Sequence, residues 1–146
     1  MKPLIYLINA PLFWLKTPPL GLIYLESYLK SRGIKIKSID LNRIVYSALS
    51  FSQKEWLSLS DRLETNLFSL VEKEFPEIIE RICKDAYKAD FIGFSIFKRN
   101  ACFSFELARR IRYMYPDKEI VFGGPQIFFL EKNIKPNPHE YWVVGE

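Results

Sequence analysis

Four stretches of this chain are apolar almost without interruption, and they limit the folds open to it. They are Leu4–Asn9 (LIYLIN), Phe91–Phe97 (FIGFSIF), Glu119–Phe122 (EIVF) and Tyr141–Val144 (YWVV). A strand with one wet face alternates apolar and polar side chains, whereas continuous runs belong to strands covered on both faces. A fifth run, Lys35–Asp40 (KIKSID), does alternate and is expected nearer a sheet edge. Helical patterns lie between the runs, and strand–helix alternation is the signature of a parallel sheet.

The first helix is expected to start at Thr17, whose hydroxyl can cap it. Pro18 and Pro19 follow, where missing amide hydrogens cost nothing. Leu22, Leu25 and Leu29, with Ile23 and Tyr28, form its inward stripe, and Gly33 stops it. The stretch 47–89 is longer than a crossover needs and reads as a helical insertion. Ser52 and Glu55 have capping-box spacing, and Trp56, Leu59, Leu63, Leu67, Leu70 and Val71 recur at helical intervals. Pro76 opens a second helix with Ile78, Ile79, Ile82, Cys83 and Ala86 inward, so two helices are expected here. A last clear helix follows Asn100, with Phe103, Leu107, Ile111 and Met114 on one side. Residues 127–140 leave room for one short helix and a proline-marked loop. The expected fold class is α/β: a doubly wound, mainly parallel five-stranded sheet flanked by helices, Rossmann-like or flavodoxin-like.

At 146 residues the chain fits one domain with a real core. Its formal charge of +4 comes from scattered lysines and arginines, clustered only briefly at Lys35/Lys37, Lys98/Arg99 and Arg109/Arg110/Arg112. No basic stripe interleaved with aromatics appears, so no nucleic-acid partner is expected and the basic surface reads as solvated. Cys83 and Cys102 are in no metal-ligand spacing and fall beside apolar residues, as thiols of a reducing cytoplasm would. The start, MKPLIYLINAPLFWLK, resembles a signal peptide only superficially. Its uncharged part, Pro3 to Leu15, is too short to span a membrane and lacks a small-residue cleavage site. A buried first strand explains it better, and a cytoplasmic protein without a membrane partner is expected.

Ligands of an open parallel sheet collect beyond the carboxyl ends of its strands. The segments there are NAPLFWLKTPPLG, DLN, SIFKRN, GGPQ and VVGE; Asn9, Asn42, Ser95, Asn100 and Gln126 supply neutral hydrogen-bonding groups. No nucleophile–base–acid set is legible, and the single histidine, His139, reads as a surface residue in a proline-rich loop. Asp40, ending a strand, suits either a ribose hydroxyl or a turn cap. Gly123-Gly124-Pro125 is neither a dinucleotide fingerprint nor a phosphate loop, since Pro125 removes a backbone donor. Two successive glycines instead permit close approach of a flat or bulky neutral group.

In order along the chain, PPLGLIYLESYLKSRGIKIKSIDLN (18–42), DFIGFSIFKRN (90–100), IVFGGPQ (120–126) and WVVGE (142–146) together resemble one family. It is the N-terminal cobalamin-binding domain of cobalamin-dependent radical S-adenosylmethionine proteins, and the resemblance covers nearly the whole chain. Cobalamin-binding domains of the wider family share Asp-x-His-x-x-Gly, then Ser-x-Leu, then Gly-Gly. Ser95-Ile96-Phe97 resembles the second element with Phe for Leu, and Gly123-Gly124 matches the third at close to the family spacing. The resemblance implies that Ser95 hydrogen-bonds the nucleotide tail of cobalamin and that Gly123 and Gly124 leave room for it. By the same resemblance the cofactor contacts extend to Pro19, Leu20, Ile96, Phe97, Asn100, Pro125 and Gln126. The lower corrin face would meet the loop from Leu12 to Leu20.

The first element is absent, so cobalamin is expected base-off, with no protein histidine on cobalt; metal binding would be through the cofactor alone. The Cys-x-x-x-Cys-x-x-Cys set of a radical domain is absent as well. The iron–sulfur cluster and S-adenosylmethionine would therefore belong to a downstream domain, with this chain a cofactor-binding module of a larger enzyme and catalysing nothing alone. The last residues, Gly145-Glu146, stand where that family commonly continues into its next domain. The alternatives are a cofactor-free flavodoxin-like or receiver-like interaction module and a nucleotide-binding fragment of an oxidoreductase. The receiver version lacks an acidic cluster after the first strand, and the oxidoreductase version lacks its glycine fingerprint.

Overall fold

The computed structural model describes residues 2–58 (Leu57 by its backbone only) and 67–145. Five parallel strands form one sheet in the order β2-β1-β3-β4-β5: β1 Leu4–Asn9, β2 Lys35–Asp40, β3 Phe91–Ser95, β4 Glu119–Gly123 and β5 Glu140–Trp142. The helices are α1 Leu20–Ser31, α2 Leu41–Leu49, α3 Gln53–Ser58, α4 Leu67–Glu74, α5 Pro76–Lys88, α6 Ala101–Met114 and α7 Pro125–Leu130. The expected α/β class with a five-stranded sheet is observed; the sheet, expected mainly parallel, is parallel at every pairing, and the alternating strand β2 does lie at the edge.

Register decides what each face carries. Leu7 stands beside Gly93, which stands beside Val121, and Ser95 stands beside Gly123. One face therefore bears Tyr6, Ile8, Ile92, Phe94, Ile120 and Phe122, all buried in one core with apolar residues of α2 to α6. Complete burial of each such side chain stabilises the fold by about 1.5–3 kcal/mol. The other face bears Ile5, Leu7, Phe91, Gly93, Ser95, Val121 and Gly123, and the helix lying over it is α1.

Several element boundaries differ from the sequence expectation, each for a local reason. Helix α1 starts at Leu20 rather than Thr17; the Pro19 carbonyl accepts its first hydrogen bond, from Ile23 N at 3.1 Å. Its stripe is only partly inward: Leu22 is buried, while Ile23, Leu25 and Tyr28 are exposed. Strand β3 ends at Ser95, not Phe97, because Asn100 gathers residues 95–97 into a turn. Strand β4 runs one residue further, to Gly123, and β5 spans Glu140–Trp142 rather than Tyr141–Val144.

The insertion holds more than the two helices expected. Strand β2 passes directly into α2, where DLN was expected to be a loop, and Leu41, Asn42 and Val45 are buried there. The capping box forms as expected: Ser52 N–H donates to Glu55 Oε2 at 2.7 Å, and Glu55 N–H donates to Ser52 Oγ at 3.2 Å. Leu59 and Leu63 lie outside the described residues. Pro76 opens α5 as expected, with Ile79, Ile82, Cys83 and Ala86 buried. Met114, expected inward on α6, is exposed at that helix's last turn. No helix among the described residues is long and apolar enough to cross a membrane.

Candidate functional site

The order β2-β1-β3-β4-β5 places a topological switch between β1 and β3. The chain leaves β1 towards α1 on one face and leaves β3 towards α6 on the other, so their loops diverge. A crevice opens at such a point in parallel sheets. Here it has a volume of about 250 Å³ and is lined by Leu12, Phe13, Trp14, Trp56, Phe97, Lys98 and Arg99.

A second cavity, about 490 Å³, lies on the α1 face of the sheet. Its floor is bare at the centre, where Gly93, Ser95 and Gly123 carry little or no side chain. Ile5, Leu7, Phe91, Val121 and Val143 border that floor, and Leu22, Leu25 and Leu29 of α1 wall it. Among the described residues the Ser95 hydroxyl makes no hydrogen bond, although its carbonyl accepts one from Asn100 Nδ2.

The two adjacent glycines do different jobs. A Cβ on Gly123 would meet only Val143, at 4.0 Å, so that position opens on the cavity. A Cβ on Gly124 would stand 2.6 Å from the Ile96 carbonyl oxygen, and Gly124 has φ +98, a conformation that favours glycine. Part of the reason for two successive glycines is thus internal: the Ile96 backbone passes against the second one. A Cβ on Gly93 would stand 2.6 Å from Leu7 Cδ2, the end of a flexible side chain.

The sequence-expected contact residues divide accordingly. Ser95, Gly123 and Gly124 line the α1-face groove, and Phe97 lines the switch-point crevice. Ile96 is buried with both its backbone groups engaged: Ile96 N–H donates to Gly123 O at 2.7 Å, and Gln126 N–H donates to Ile96 O at 3.2 Å. Asn100 is buried and holds the turn, its Nδ2 donating to Ser95 O at 2.9 Å and its Oδ1 accepting from Phe97 N at 2.7 Å. Pro125 opens α7 beside Phe128 and Phe129, on a shallow apolar surface that reaches Gly124 and Val143. Pro19 and Leu20 line neither cavity; Leu20 is exposed at the first turn of α1. Sequence reasoning missed Gly93, whose place inside an otherwise bulky strand was the available signal. It also did not foresee that Phe13, Trp14 and Trp56 meet.

None of the titratable groups with shifted behaviour lines either cavity. Burial raises the Tyr6 phenol and the Cys83 thiol. A hydrogen bond with His139 holds the Glu119 carboxyl below its ordinary range. That pair stands where β4 begins, at the amino end of the sheet, because Ile120 N–H donates to His139 O. Asp40 accepts from Asn9 Nδ2 at 2.9 Å and pairs with Arg43 at 3.2 Å, so it joins the ends of two strands. Among the described residues no three His, Cys, Asp or Glu side chains are grouped to hold a metal ion.

The architecture, then, is a parallel α/β domain with a switch-point crevice and a bare-floored groove. Comparison with protein-family models, with curated proteins and with solved structures gives no match.

Proposed function

We propose that this chain is the cobalamin-binding module of a radical S-adenosylmethionine enzyme, with the α1-face groove taking the nucleotide tail. One observation carries the reading: an apolar groove whose floor has no side chain at Gly93 and Gly123 and only a hydroxyl at Ser95, where a Cβ on Gly123 would touch nothing but Val143, at 4.0 Å. Its volume of about 490 Å³ falls within the roughly 300–1,000 Å³ usual for small-molecule sites. A flat apolar base suits walls of Leu22, Leu25 and Leu29, and the Ser95 hydroxyl is a hydrogen-bonding group without a protein partner among the described residues. The motif resemblance around Ser95 and Gly123-Gly124 points to the same tail.

Bound there, cobalamin supplies a cobalt centre that can carry a methyl group to a radical formed in a partner domain, the radical S-adenosylmethionine domain. This chain's part is to hold and orient. His139 stands at the amino end of the sheet, opposite the loops that would face the corrin, which is consistent with base-off binding and no histidine on cobalt.

The test is retention. The protein mixed with hydroxocobalamin and desalted should keep corrin absorbance with a base-off spectrum; no retained absorbance overturns the reading, and a base-on spectrum overturns the threaded tail. Gly123→Val, which fills the groove without a backbone clash, should lose hydroxocobalamin while staying folded.

A second reading, a cofactor-free partner-docking module, draws on the exposure of Phe91, Tyr141 and Val143 along the same sheet face. It predicts no corrin retention at all.

A further inference from the structure

We propose that the outward face of α1 rests on an anionic lipid surface, with Ile23, Tyr24 and Tyr28 entering the interface and Lys2, Lys30 and Arg32 meeting the headgroups. The proposal stands whether or not a corrin occupies the groove. These residues lie clear of Pro19 and Leu20, and none is among Leu22, Leu25 and Leu29, which wall the groove.

Helix α1 is apolar on two sides. Leu22 and Leu29 turn to the sheet, while on the outer side Tyr24 is 73% exposed, Tyr28 47% and Ile23 46%. A helix that merely separates a sheet from water carries charges on its outer side. Here, from Gly21 onward, the residues three, four and seven positions from Tyr24 are Gly21, Ser27, Tyr28 and Ser31, all exposed and none charged. A Cβ on Gly21 would meet nothing within 4 Å, so no described part of the chain covers this stripe there. The other helices of the core, α2 to α6, pack on the opposite face of the sheet, which leaves α1 as an open ridge.

Area decides between occupants. At 150–250 Å² for a whole aromatic side chain, the exposed parts of Ile23, Tyr24 and Tyr28 come to roughly 400 Å². That is about half of the ~800 Å² each partner contributes to a stable protein interface. An interfacial helix needs no closed pocket, only an apolar face laid at the boundary of headgroups and acyl chains. Tyrosine suits that depth, with its ring in the apolar layer and its hydroxyl in the wet one.

Charge selects the kind of lipid. Residues 1–39 hold six of the chain's 21 Lys and Arg but one of its 17 Asp and Glu. That one, Glu26, is turned aside to Lys30 and Ser38. The Arg32 guanidinium lies 5.2 Å from the Tyr28 ring, and the Lys2 ammonium sits against Gly33, just past the helix. Among the described residues neither Lys2 nor Arg32 pairs with a carboxylate. Cations beside an exposed apolar stripe attract anionic headgroups, whereas they repel the same cations on a second copy.

No described helix can cross a membrane. Lying on one is a different requirement, met by one exposed face and nearby cations. The expectation of no membrane partner weighed only spanning.

The experiment is flotation of the full chain with vesicles of phosphatidylcholine and phosphatidylserine, two to one, beside vesicles of phosphatidylcholine alone. The chain should float with the anionic vesicles, not with the neutral ones, and should be released by added salt. Tyr24→Ser, at a site open enough to leave the circular dichroism unchanged, should weaken anionic-vesicle binding by about tenfold. Arg32→Gln should weaken it by about fivefold. A chain that stays behind in the solvent overturns the proposal. So does equal flotation with neutral vesicles, or binding that Tyr24→Ser leaves unchanged, which would be the plain attraction of a basic protein. A dimer in sedimentation equilibrium that Tyr24→Asp dissociates would also overturn it, by giving the face to a second copy.

Discussion

Gly124 lies against the backbone of Ile96: a Cβ there would stand 2.6 Å from the Ile96 oxygen and 2.7 Å from its nitrogen. The same two Ile96 groups bond Gln126 N and Gly123 O, so Ile96 ties the end of β3 to the start of α7. Neither partner can yield without breaking a hydrogen bond. Gly124→Ala is therefore expected to destabilise the domain by about 1–3 kcal/mol, through the clash and the left-handed φ together. Gly123→Ala, with only Val143 at 4.0 Å, should fall within about 0.5 kcal/mol of the parent. Urea unfolding of the two variants side by side checks this; equal midpoints would remove the distinction between the glycines.

This contrast shows where the sequence was legible and where it was not. Signals that act within a few residues were readable. Ser52 and Glu55 cap each other across one turn, Pro76 begins α5, and continuous apolar runs marked the inner strands β1, β3 and β4. The run Tyr141–Val144, read the same way, lies instead at the sheet edge with Tyr141, Val143 and Val144 exposed. Helix α2 was hidden because Asp40 leads into Leu41 with no glycine or proline between strand and helix. The groove needed register: Gly93, Ser95 and Gly123 share a bare patch only because β3 and β4 pair Ser95 with Gly123. The crevice needed three distant segments, since Phe13, Trp56 and Phe97 belong to separate loops and helices. Asn100, a candidate contact by its place after β3, turns out to spend its side chain on the protein's own backbone.

Asn42 provides a second measurable contrast. Asn42→Ala leaves both Phe13 backbone groups without their partner, at a cost of about 1–3 kcal/mol per buried group. Asn42→Asp keeps an acceptor for Phe13 N but sets a buried carboxylate oxygen against Phe13 O, so it should cost at least as much stability while keeping that one bond. Amide hydrogen exchange reads the difference directly. Protection of the Phe13 amide should vanish in Asn42→Ala and persist in Asn42→Asp; retained protection in the alanine variant would mean that the loop holds itself.

Acid should loosen the seam between α1 and β2. Glu26 receives hydrogen bonds from Lys30 and Ser38, and these, the Lys30 bond foremost, hold its carboxyl below the ordinary value of 4.5. A carboxyl with a lowered folded pKa binds its proton more weakly when folded than when unfolded. Its stabilisation is therefore fully present above the unfolded value and is lost as pH falls through the lower folded one. Because its partner Lys30 is exposed and the pair lies at the surface, the effect should be small and should shrink with added salt. Urea midpoints measured from pH 7 down to pH 3 should fall less steeply for Glu26→Gln than for the parent. Identical acid limbs would place the pH dependence in other carboxylates and remove the ionisation of Glu26 from what holds α1 against β2.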